Sequence, residues 1–599
     1  MANETGWEMT EQLNFRVDLG GVIALLSKNL YSSPGVYVRE LIQNAMDAVT
    51  ARDALEGAPA PRAVTISPYG IVSPGSPAEE FTIVDAGIGI GLEQVEQFLA
   101  TVGASSKSEE LESRRHTYIG QFGIGLLSCF LIADEITVVS ACATGAEPIE
   151  WVGKSDGTYR VRTLNENIPI GTTVRLRPRP DMVGWARVEQ VTPLVQKYAE
   201  FLPLDIRVLS SHGSESVSRA YPWVGDFGAH RSAVMQGISP VYGGVGVGKQ
   251  FDAIEVNDSG LGLQAVVYIG IPAGKAKSAG HNRVYINNMF VGDAEGSLMP
   301  SWAFFAWAVV NSTALEPTAS RETIKDDTVQ AMTRQKLGQA ALDWLRRIAD
   351  TDPERFAEFV SGNELELRLA ATQGFDTEKL KLAEVVLPML TMQTTEGQMR
   401  LIDIVGRNPN VLYSAYIDEF RTIASFTPKG RIVVNASHTL DQEVLLTLPQ
   451  VMPGVTVTRV YPAAEVAALV PPDSGVLGEV LGLEQRATQA LAAQGCTVVV
   501  RQFPSSDLPA IFIDRGRIDM ASPGYSDSAH LVVNWNNRVV RALVRTDDDV
   551  VFNRVIQVLF VQARMAGGCN IPEDRALLST ALDDILLLAV GADGTETER

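Results

Sequence analysis

The stretch from Tyr37 to Ala48, YVRELIQNAMDA, constrains the fold more than any other part of the chain. It predicts an α-helix, since Ser33 can cap the N-terminus and Pro34 suits the first helical position. Leu41 and Ala45 lie near each other on that helix and can pack inward, so the helix needs an apolar partner layer.

Three polar residues of this helix, Glu40, Asn44 and Asp47, recur at i, i+4 and i+7 and therefore share one face. The carboxylate of Glu40 could orient or deprotonate an attacking water. The carboxamide oxygen of Asn44 could bind Mg²⁺, which takes most of its other ligands from phosphates and water. Taken alone, the triplet is more typical of a polar stripe facing solvent.

Glycine-containing motifs follow at three places. The strand predicted over Phe81–Val84 ends in the run Asp85–Gly91, where glycines let the backbone approach a ligand and the aspartate can accept a hydrogen bond from an amine such as adenine's. In Tyr118–Ser128, glycines precede an apolar helix, and backbone N–H groups at a helix start bind phosphate well. Gly171–Leu176 predicts a strand entered through a Gly-Thr turn. Each motif alone also describes an ordinary turn or a tightly packed helix start.

In this order, the motifs resemble the split ATP-binding fold shared by DNA gyrase, histidine kinases, mismatch-repair ATPases and the heat-shock protein 90 chaperones. The stretches Leu30–Ser32, Arg39–Ala45 and Ile119–Gly125 are similar to the heat-shock protein 90 branch in particular. The resemblance implies an α+β multidomain protein. Its parts would be an N-terminal Bergerat-type α/β sandwich that binds ATP, an α/β middle domain and a C-terminal α/β dimerisation domain.

The resemblance also implies the parts of a site. Adenine would lie near Asp85, Mg²⁺ would be held by Asn44, and Glu40 would be the catalytic carboxylate. A lid over about residues 92–125 would close over the phosphates. The ATP-binding residues implied in this way are Asn44, Asp47, Asp85, Gly89, Gly120, Gln121, Phe122, Gly123, Ile124, Gly125 and Thr172.

A second catalytic residue is implied further along the chain. The span Arg283–Lys325 is similar to the family's middle domain, and Ser320-Arg321-Glu322 matches its catalytic-arginine motif. An arginine delivered late to the γ-phosphate neutralises charge that develops during transfer. Where the family usually has Gln four residues later, this chain has Lys325. A charge there could retune the γ-phosphate contact, or the loop could dock differently.

Two other stretches in the middle of the chain need interpretation. Gly243–Gln250 matches the spacing of a P-loop, but Gln250 stands where a hydroxyl is needed for Mg²⁺, so we expect a flexible glycine loop. The apolar run Leu298–Val310 predicts core, with an exposed client-binding patch as the alternative.

The sequence also departs from the family pattern inside the implied pocket. Phe98 stands where the family usually has Asn, Ala104 replaces a common lid lysine, and Leu126-Leu127 replaces Phe-Tyr. Ala86 replaces Thr or Asn. These departures leave the turnover rate and inhibitor sensitivity open.

The net charge of the chain restricts its possible partners, and its cysteines and N-terminus bear on its location. A net charge of −21 argues against nucleic acid or an anionic membrane as the main partner. The four cysteines show no paired spacing, and a polar N-terminus predicts no signal peptide. We expect that the chain has no transmembrane segment and that the protein is cytoplasmic.

The expected domains are an ATP-binding domain over 1–212, a middle domain over 213–470 and a dimerisation domain over 476–599. Two apolar-faced helices near the end of the chain predict either intrachain core or a dimer interface, and the resemblance favours a homodimer.

The function implied is an ATP-dependent molecular chaperone, a Mg²⁺-dependent ATPase whose clamp closure and ATP hydrolysis act on unfolded or partly folded client proteins. Two alternatives stay open at this point. One is a DNA-processing ATPase of the same superfamily. The other is a nucleotide-binding regulatory module with little turnover, suggested by Phe98, Ala104 and Lys325.

Overall fold

The structure is a computed structural model. It describes residues 33–55, 61–72, 77–95, 99, 125–236, 249–271, 282–293, 298–318, 321–372, 377–514, 529–568 and 571–590. The chain divides into two compact units, Met1–Trp344 and Leu345–Arg599. Both units mix helices with sheets, which agrees with the predicted α+β multidomain class.

The first unit begins with an eight-stranded sheet in the order β5-β4-β3-β6-β2-β1-β7-β8. All its strand pairs are antiparallel except β1 with β7. The strands are β1 Ala63–Ser67, β2 Phe81–Asp85, β3 Ala133–Ala141, β4 Ile149–Lys154, β5 Tyr159–Thr163, β6 Gly171–Pro178, β7 Asp205–Ser210 and β8 Gly213–Ser216. The helices beside them are α1 Val36–Asp53, α2 Val183–Ala186 and α3 Val188–Ala199, and 3₁₀ turns occur at Leu92–Gln94 and Gly125–Leu131.

Helix α1 is the centre of this domain's core. Its apolar residues, among them Tyr37, Leu41 and Ile42, are fully buried in one cluster with residues of the sheet. The Tyr37 ring meets the Phe81 ring edge-on, with centroids 5.2 Å apart. Burying a large apolar side chain contributes about 1.5–3 kcal/mol, so this packing fixes α1 against the sheet.

A second, five-stranded sheet follows in the same unit, in the order β12-β11-β13-β10-β9. Its strands are β9 Lys249–Asp258, β10 Leu263–Ile271, β11 Arg283–Ile286, β12 Met289–Asp293 and β13 Ala306–Ser312, and the helices nearby in sequence are α4 Phe227–Met235 and α5 Thr328–Thr351. An aromatic cluster that includes Phe201, Trp223 and Tyr285 fills its core.

The second unit contains two smaller sheets, ordered β15-β14-β17-β16-β18 and β19-β21-β20. The strands are β14 Thr391–Thr394, β15 Gly397–Arg400, β16 Asn410–Ser414, β17 Val433–Asn435, β18 Thr456–Arg459, β19 Cys496–Arg501, β20 Ala510–Ile513 and β21 Ala529–Asn534. The helices are α6 Pro353–Gly362, α7 Glu364–Thr372, α8 Thr377–Val386, α9 Leu401–Arg407, α10 Ile417–Phe426, α11 Asp441–Val451, α12 Pro462–Ala467, α13 Leu477–Ala490, α14 Arg538–Val544, α15 Asp549–Ala566 and α16 Pro572–Ala589.

The sequence predicts strands at Ala63–Ser67 and Cys496–Arg501 from their apolar and β-branched residues, and the structure has both with these bounds. The apolar run from Leu298 is core as predicted, since Trp302 and Trp307 are both 3% exposed. The P-loop-like stretch lies mostly outside the described residues, but Lys249 and Gln250 begin strand β9.

Other predictions are wrong in detail, and local chemistry explains them. Helix α1 begins at Val36, because Ser33 Oγ accepts from the Gly35 N–H and closes a turn before the helix. The apolar stretch Arg283–Val291 predicts a single strand by its sequence alone, and this prediction is wrong. The structure has a hairpin there, since Asn287 and Asn288 both adopt positive φ, the turn geometry that asparagine tolerates. The polar stretch Ser210–Ser218 predicts a joint after the first domain, but in the structure it holds part of the β7–β8 hairpin, paired with the first sheet.

Candidate functional site

The three predicted site residues on the polar face of α1 differ in how deeply they are buried. Glu40 is 3% exposed, Asp47 is half-buried and Asn44 is exposed. The interpretation as a stripe facing solvent is therefore wrong for Glu40. A carboxylate at that depth is strongly disfavoured unless it is paired and hydrogen-bonded.

Two arginines provide that pairing. Arg39 donates from Nε and Nη2 to Glu40 Oε1, at 3.2 and 2.9 Å. Arg321 donates from Nη1 to Glu40 Oε2 at 3.1 Å. Each carboxylate oxygen thus has its own guanidinium, an arrangement of charge-assisted bonds that immobilises the side chain.

Arg39 also links α1 to the loop that carries Arg321. Its third nitrogen, Nη1, donates to the Arg321 carbonyl at 3.0 Å, and its guanidinium lies over the Tyr198 ring at 5.8 Å from the centroid. Arg39 is 2% exposed. Its guanidinium therefore holds the Glu40 carboxylate and the loop that carries Arg321 together.

The backbone of Arg321 is unusual, with φ at +54°, in the left-handed region that side chains rarely adopt. Its N–H donates to the Thr318 carbonyl. Lys325 lies at the other end of this loop, where its Nζ pairs with Glu316 at 2.6 Å and both side chains are largely exposed. Such an exposed pair contributes little to stability.

Asp85 ends strand β2, directly opposite Thr172 on β6. Burial raises its pKa to about 7, although backbone N–H groups of Gly87 and Thr172 oppose that shift. The Gly87 N–H donates to Asp85 Oδ1 at 2.8 Å. The antiparallel pairing of β2 and β6 thus brings together two predicted site residues that are far apart in sequence.

The loop after Asp85 is anchored by Ser140. Ser140 Oγ accepts from the Ile90 N–H at 2.9 Å and lies 3.0 Å from Thr172 Oγ1. Gly89 has φ at +73°, and a Cβ there would collide with the Ala141 carbonyl. Glycine is therefore required at this position by both backbone conformation and space.

Of the predicted lid glycines, only Gly125 is among the described residues; Gly120, Gln121, Phe122, Gly123 and Ile124 lie outside them, as do Phe98 and Ala104. A Cβ on Gly125 would lie 2.7 Å from Glu40 Oε2, so the backbone runs close to the carboxylate. Leu126 and Leu127 pack against the core of the domain.

Asn44 is the residue of this site that the sequence analysis expects to hold Mg²⁺. In the described part of the chain, no group of three or more His, Cys, Asp or Glu side chains could hold a metal. The exposed Asn44 offers one amide oxygen, which fits an ion that keeps mostly water and phosphate ligands.

Three residues to which the sequence assigned no role belong to this site. Arg39 and Gln43 flank Glu40 along α1, and Ser140 holds the glycine loop. Gln43 accepts from Arg321 Nη1 and is 1% exposed. Its place three residues after Glu40 was the available signal, since i and i+3 side chains are neighbours.

Two family models match the chain. The model described as "Histidine kinase-, DNA gyrase B-, and HSP90-like ATPase" matches residues 31–160, and the one described as "Hsp90 protein" matches residues 270–416. The first range contains Glu40 and Asp85, and the second contains Arg321. Thr172 lies outside both.

Curated relatives agree with the two models. "Chaperone protein HtpG" of Anaplasma phagocytophilum is 22% identical over 418 residues, 66% of this chain and 64% of that protein. The protein of the same name from Streptomyces coelicolor is 25% identical, over 58% of this chain and 60% of the relative. The chain thus spans less than two thirds of the length of these two relatives.

A longer match extends the similarity. "Chaperone protein HtpG" of Rhodopseudomonas palustris is 23% identical over 636 residues, 98% of this chain and 99% of that protein. The two models together hold both partners of the Glu40–Arg321 pair. The chain is accordingly similar to bacterial proteins of the heat-shock protein 90 family, within the superfamily of histidine kinase-, gyrase B- and Hsp90-like ATPases.

Proposed function

We propose that the protein is an ATP-dependent molecular chaperone in which clamp closure and ATP hydrolysis are coupled to the folding or remodelling of client proteins. The observation that carries the proposal is the buried contact between Glu40 and Arg321, 3.1 Å apart although they are far apart in sequence. Relatives with the printed name of chaperone, matched over nearly the full chain, support it.

In the proposed reaction Glu40 orients the attacking water and takes its proton. Both oxygens of this carboxylate accept hydrogen bonds from guanidinium groups, so one of these contacts must break before the carboxylate can bind the attacking water. Arg321 is the natural partner to leave, since the γ-phosphate of ATP offers it a competing anion. The ground-state ion pair would thus hold both groups in place and inactive until nucleotide is bound.

The nucleotide would be bound by groups on both sides of this pair. Asp85 would accept a hydrogen bond from the adenine amine, with Gly89 and Thr172 beside it and Asp47 on the neighbouring helix face. Gly120 to Gly125 would contact the phosphates as part of a lid. Asn44 would hold Mg²⁺, which supplies charge neutralisation at the phosphates when bound.

The C-terminal helices support a homodimer. Helix α16 exposes Leu582 at 40% and Leu586 at 60%, which lie four residues apart on the same face, and Leu587 at 51% beside them. Contiguous apolar surface of this kind is typical of an interface. We propose dimerisation through this helix and keep the domain limits 1–212, 213–470 and 476–599.

The proposed setting is the cytoplasm. No helix in the described ranges combines the length and the apolar character needed to cross a bilayer. The Hsp90 model over 270–416 also disfavours the DNA-processing alternative, because that range includes the arginine loop.

Steady-state ATPase measurements on wild type, Glu40→Ala and Arg321→Ala test the proposal. We expect Glu40→Ala to keep ATP binding and lose hydrolysis by about a hundredfold or more, since the general base is gone. Arg321→Ala should slow hydrolysis on the order of a hundredfold through loss of one charge-stabilising donor.

Wild-type activity in Glu40→Ala would contradict the site, and strong stimulation by duplex DNA would contradict the chaperone assignment. A wild-type protein that binds ATP with no measurable turnover would favour the regulatory alternative. Aggregation assays with a chemically unfolded client, with and without ATP, test the chaperone step itself.

A further inference from the structure

Arg321 Nη1 is shared by two acceptors of different charge. One is Glu40 Oε2 at 3.1 Å, and the other is Gln43 Oε1. Gln43 lies one helical turn after Glu40 and is 1% exposed. Both acceptors therefore lie in the same buried space, where hydrogen bonds to charged groups are strong.

The two acceptors have different consequences for hydrolysis, which under the proposed function needs Glu40 as a free base and Arg321 as an uncompensated cation. The Glu40 contact cancels both charges, so it has to be broken before the reaction. A carboxamide is neutral, so the Gln43 contact leaves the charge of Arg321 intact. Gln43 can hold Arg321 throughout the cycle.

The second polar atom of Gln43, Nε2, is a hydrogen-bond donor that needs an acceptor. Gln43 Nε2 is buried and has no hydrogen-bond partner among the described residues. A buried donor without an acceptor is costly, and native proteins rarely keep one without a function. A phosphate oxygen or an attacking water in the assembled site is an acceptor that fits this donor.

We propose that Gln43 is a positioning residue for ATP hydrolysis: it retains Arg321 at the site when Glu40 releases it, and its Nε2 group donates to the attacking water. This inference rests on the proposed function. It adds a neutral third member to the pair formed by Glu40 and Arg321.

A double-mutant cycle tests it, because a positioning role through Arg321 predicts coupling that a packing role does not. Gln43→Met keeps the length of the side chain and removes both polar atoms. We expect a fall in kcat of about tenfold, the loss of one buried hydrogen bond to a charged group, with ATP affinity unchanged within about twofold. In the Arg321→Ala background, the same substitution should lower kcat by a smaller factor, because only the Nε2 donor is then lost.

Gln43→Glu separates charge from shape. It keeps an acceptor for Arg321 but adds a negative charge and lacks the Nε2 donor, so we expect turnover below that of wild type. Gln190→Met, at an exposed glutamine of α3, is the matched control and should behave as wild type.

The outcomes are distinct. Wild-type turnover in Gln43→Met, an equal loss in the Arg321→Ala background, or wild-type turnover in Gln43→Glu would each overturn the role of Gln43. If Arg321→Ala alone turns over at the wild-type rate, the proposed function fails and this inference fails with it. Loss of ATP affinity in Gln43→Met would indicate a packing role and also overturn the inference.

Discussion

Asp85 combines two opposing influences at a single residue. Burial disfavours its charged form, whereas backbone N–H groups of Gly87 and Thr172 favour it, and the resulting pKa is about 7. The folded protein therefore binds a proton at Asp85 that the unfolded chain releases near pH 4. Between these two values, folding is linked to proton uptake.

A pH dependence of stability follows from this linkage. Because the folded-state pKa is raised, the contribution of Asp85 to stability falls as pH rises from about 4 to about 7 and then levels off. Asp85→Asn removes the titration. The melting temperature of wild type, relative to that of Asp85→Asn, should therefore decrease between about pH 5 and about pH 8 when both are followed by scanning calorimetry without nucleotide.

The control compares the two proteins in the same buffers, so that titrations elsewhere cancel. A melting difference that stays constant across this range would show that Asp85 titrates at an ordinary pKa. Addition of ADP tests the adenine role separately, since an amine donor favours the carboxylate and should shift the transition to lower pH.

At the scale of elements, a loop and a hairpin together hold Arg321 in place. The β11–β12 hairpin runs beside the arginine loop, and a Cβ on Gly292 of β12 would collide with the Glu322 carbonyl. The backbone of Glu322 follows directly on Arg321, whose φ is already in the left-handed region. A shift of this loop would move the guanidinium away from Glu40.

Gly292→Ala should therefore reduce ATP turnover and leave ATP affinity nearly unchanged. A displacement of about 1 Å in a catalytic group can lower the rate by about a hundredfold, and the loop has to move by that order to admit the methyl group. Turnover and nucleotide affinity are measured on the same preparations. Gly184→Ala is the matched control, since a Cβ there meets nothing within 4 Å; equal activity in the two variants would contradict this account of the loop.

The sequence predicts well those helices and strands that depend on a local pattern of apolar and polar residues. The strand Ala63–Ser67 and the long helix from Thr328 follow from alternation and period. Prediction from the sequence fails for the hairpin at Arg283–Asp293, because Asn287 and Asn288 turn the chain inside an apolar run. The contacts of Gln43 and Ser140 were not predictable either, since they depend on partners distant in sequence.

At the scale of the whole molecule, the exposed leucines of α16 bear on assembly. Apolar side chains such as Leu586 and Leu587 remain more than half exposed at the end of the described chain. Covering such a face on both copies of a symmetric dimer removes apolar surface from water twice. The proposed clamp needs this connection, because two separate subunits could not close on one client.

Replacing Leu586 and Leu587 together by Lys should shift the protein toward monomer. In a symmetric contact, the lysines of both copies would lose water and would repel each other. Light scattering coupled to size exclusion measures the mass across a range of concentrations. Leu477→Lys, at an exposed leucine of α13, is the control and should not change the mass. A Leu586/Leu587 variant with the same mass profile as wild type would exclude α16 as the interface.

The topology of the first sheet has a consequence for biosynthesis. Strand β1 lies between β2 and β7, and β7 is Asp205–Ser210, near the end of the domain. During translation, β2 can pair with β1 early, but the other edge of β1 stays open until residue 210 has left the ribosome. An open central strand is a template for wrong pairing. This nascent chain therefore passes through an interval of synthesis in which one edge of β1 is open to pairing with other strands.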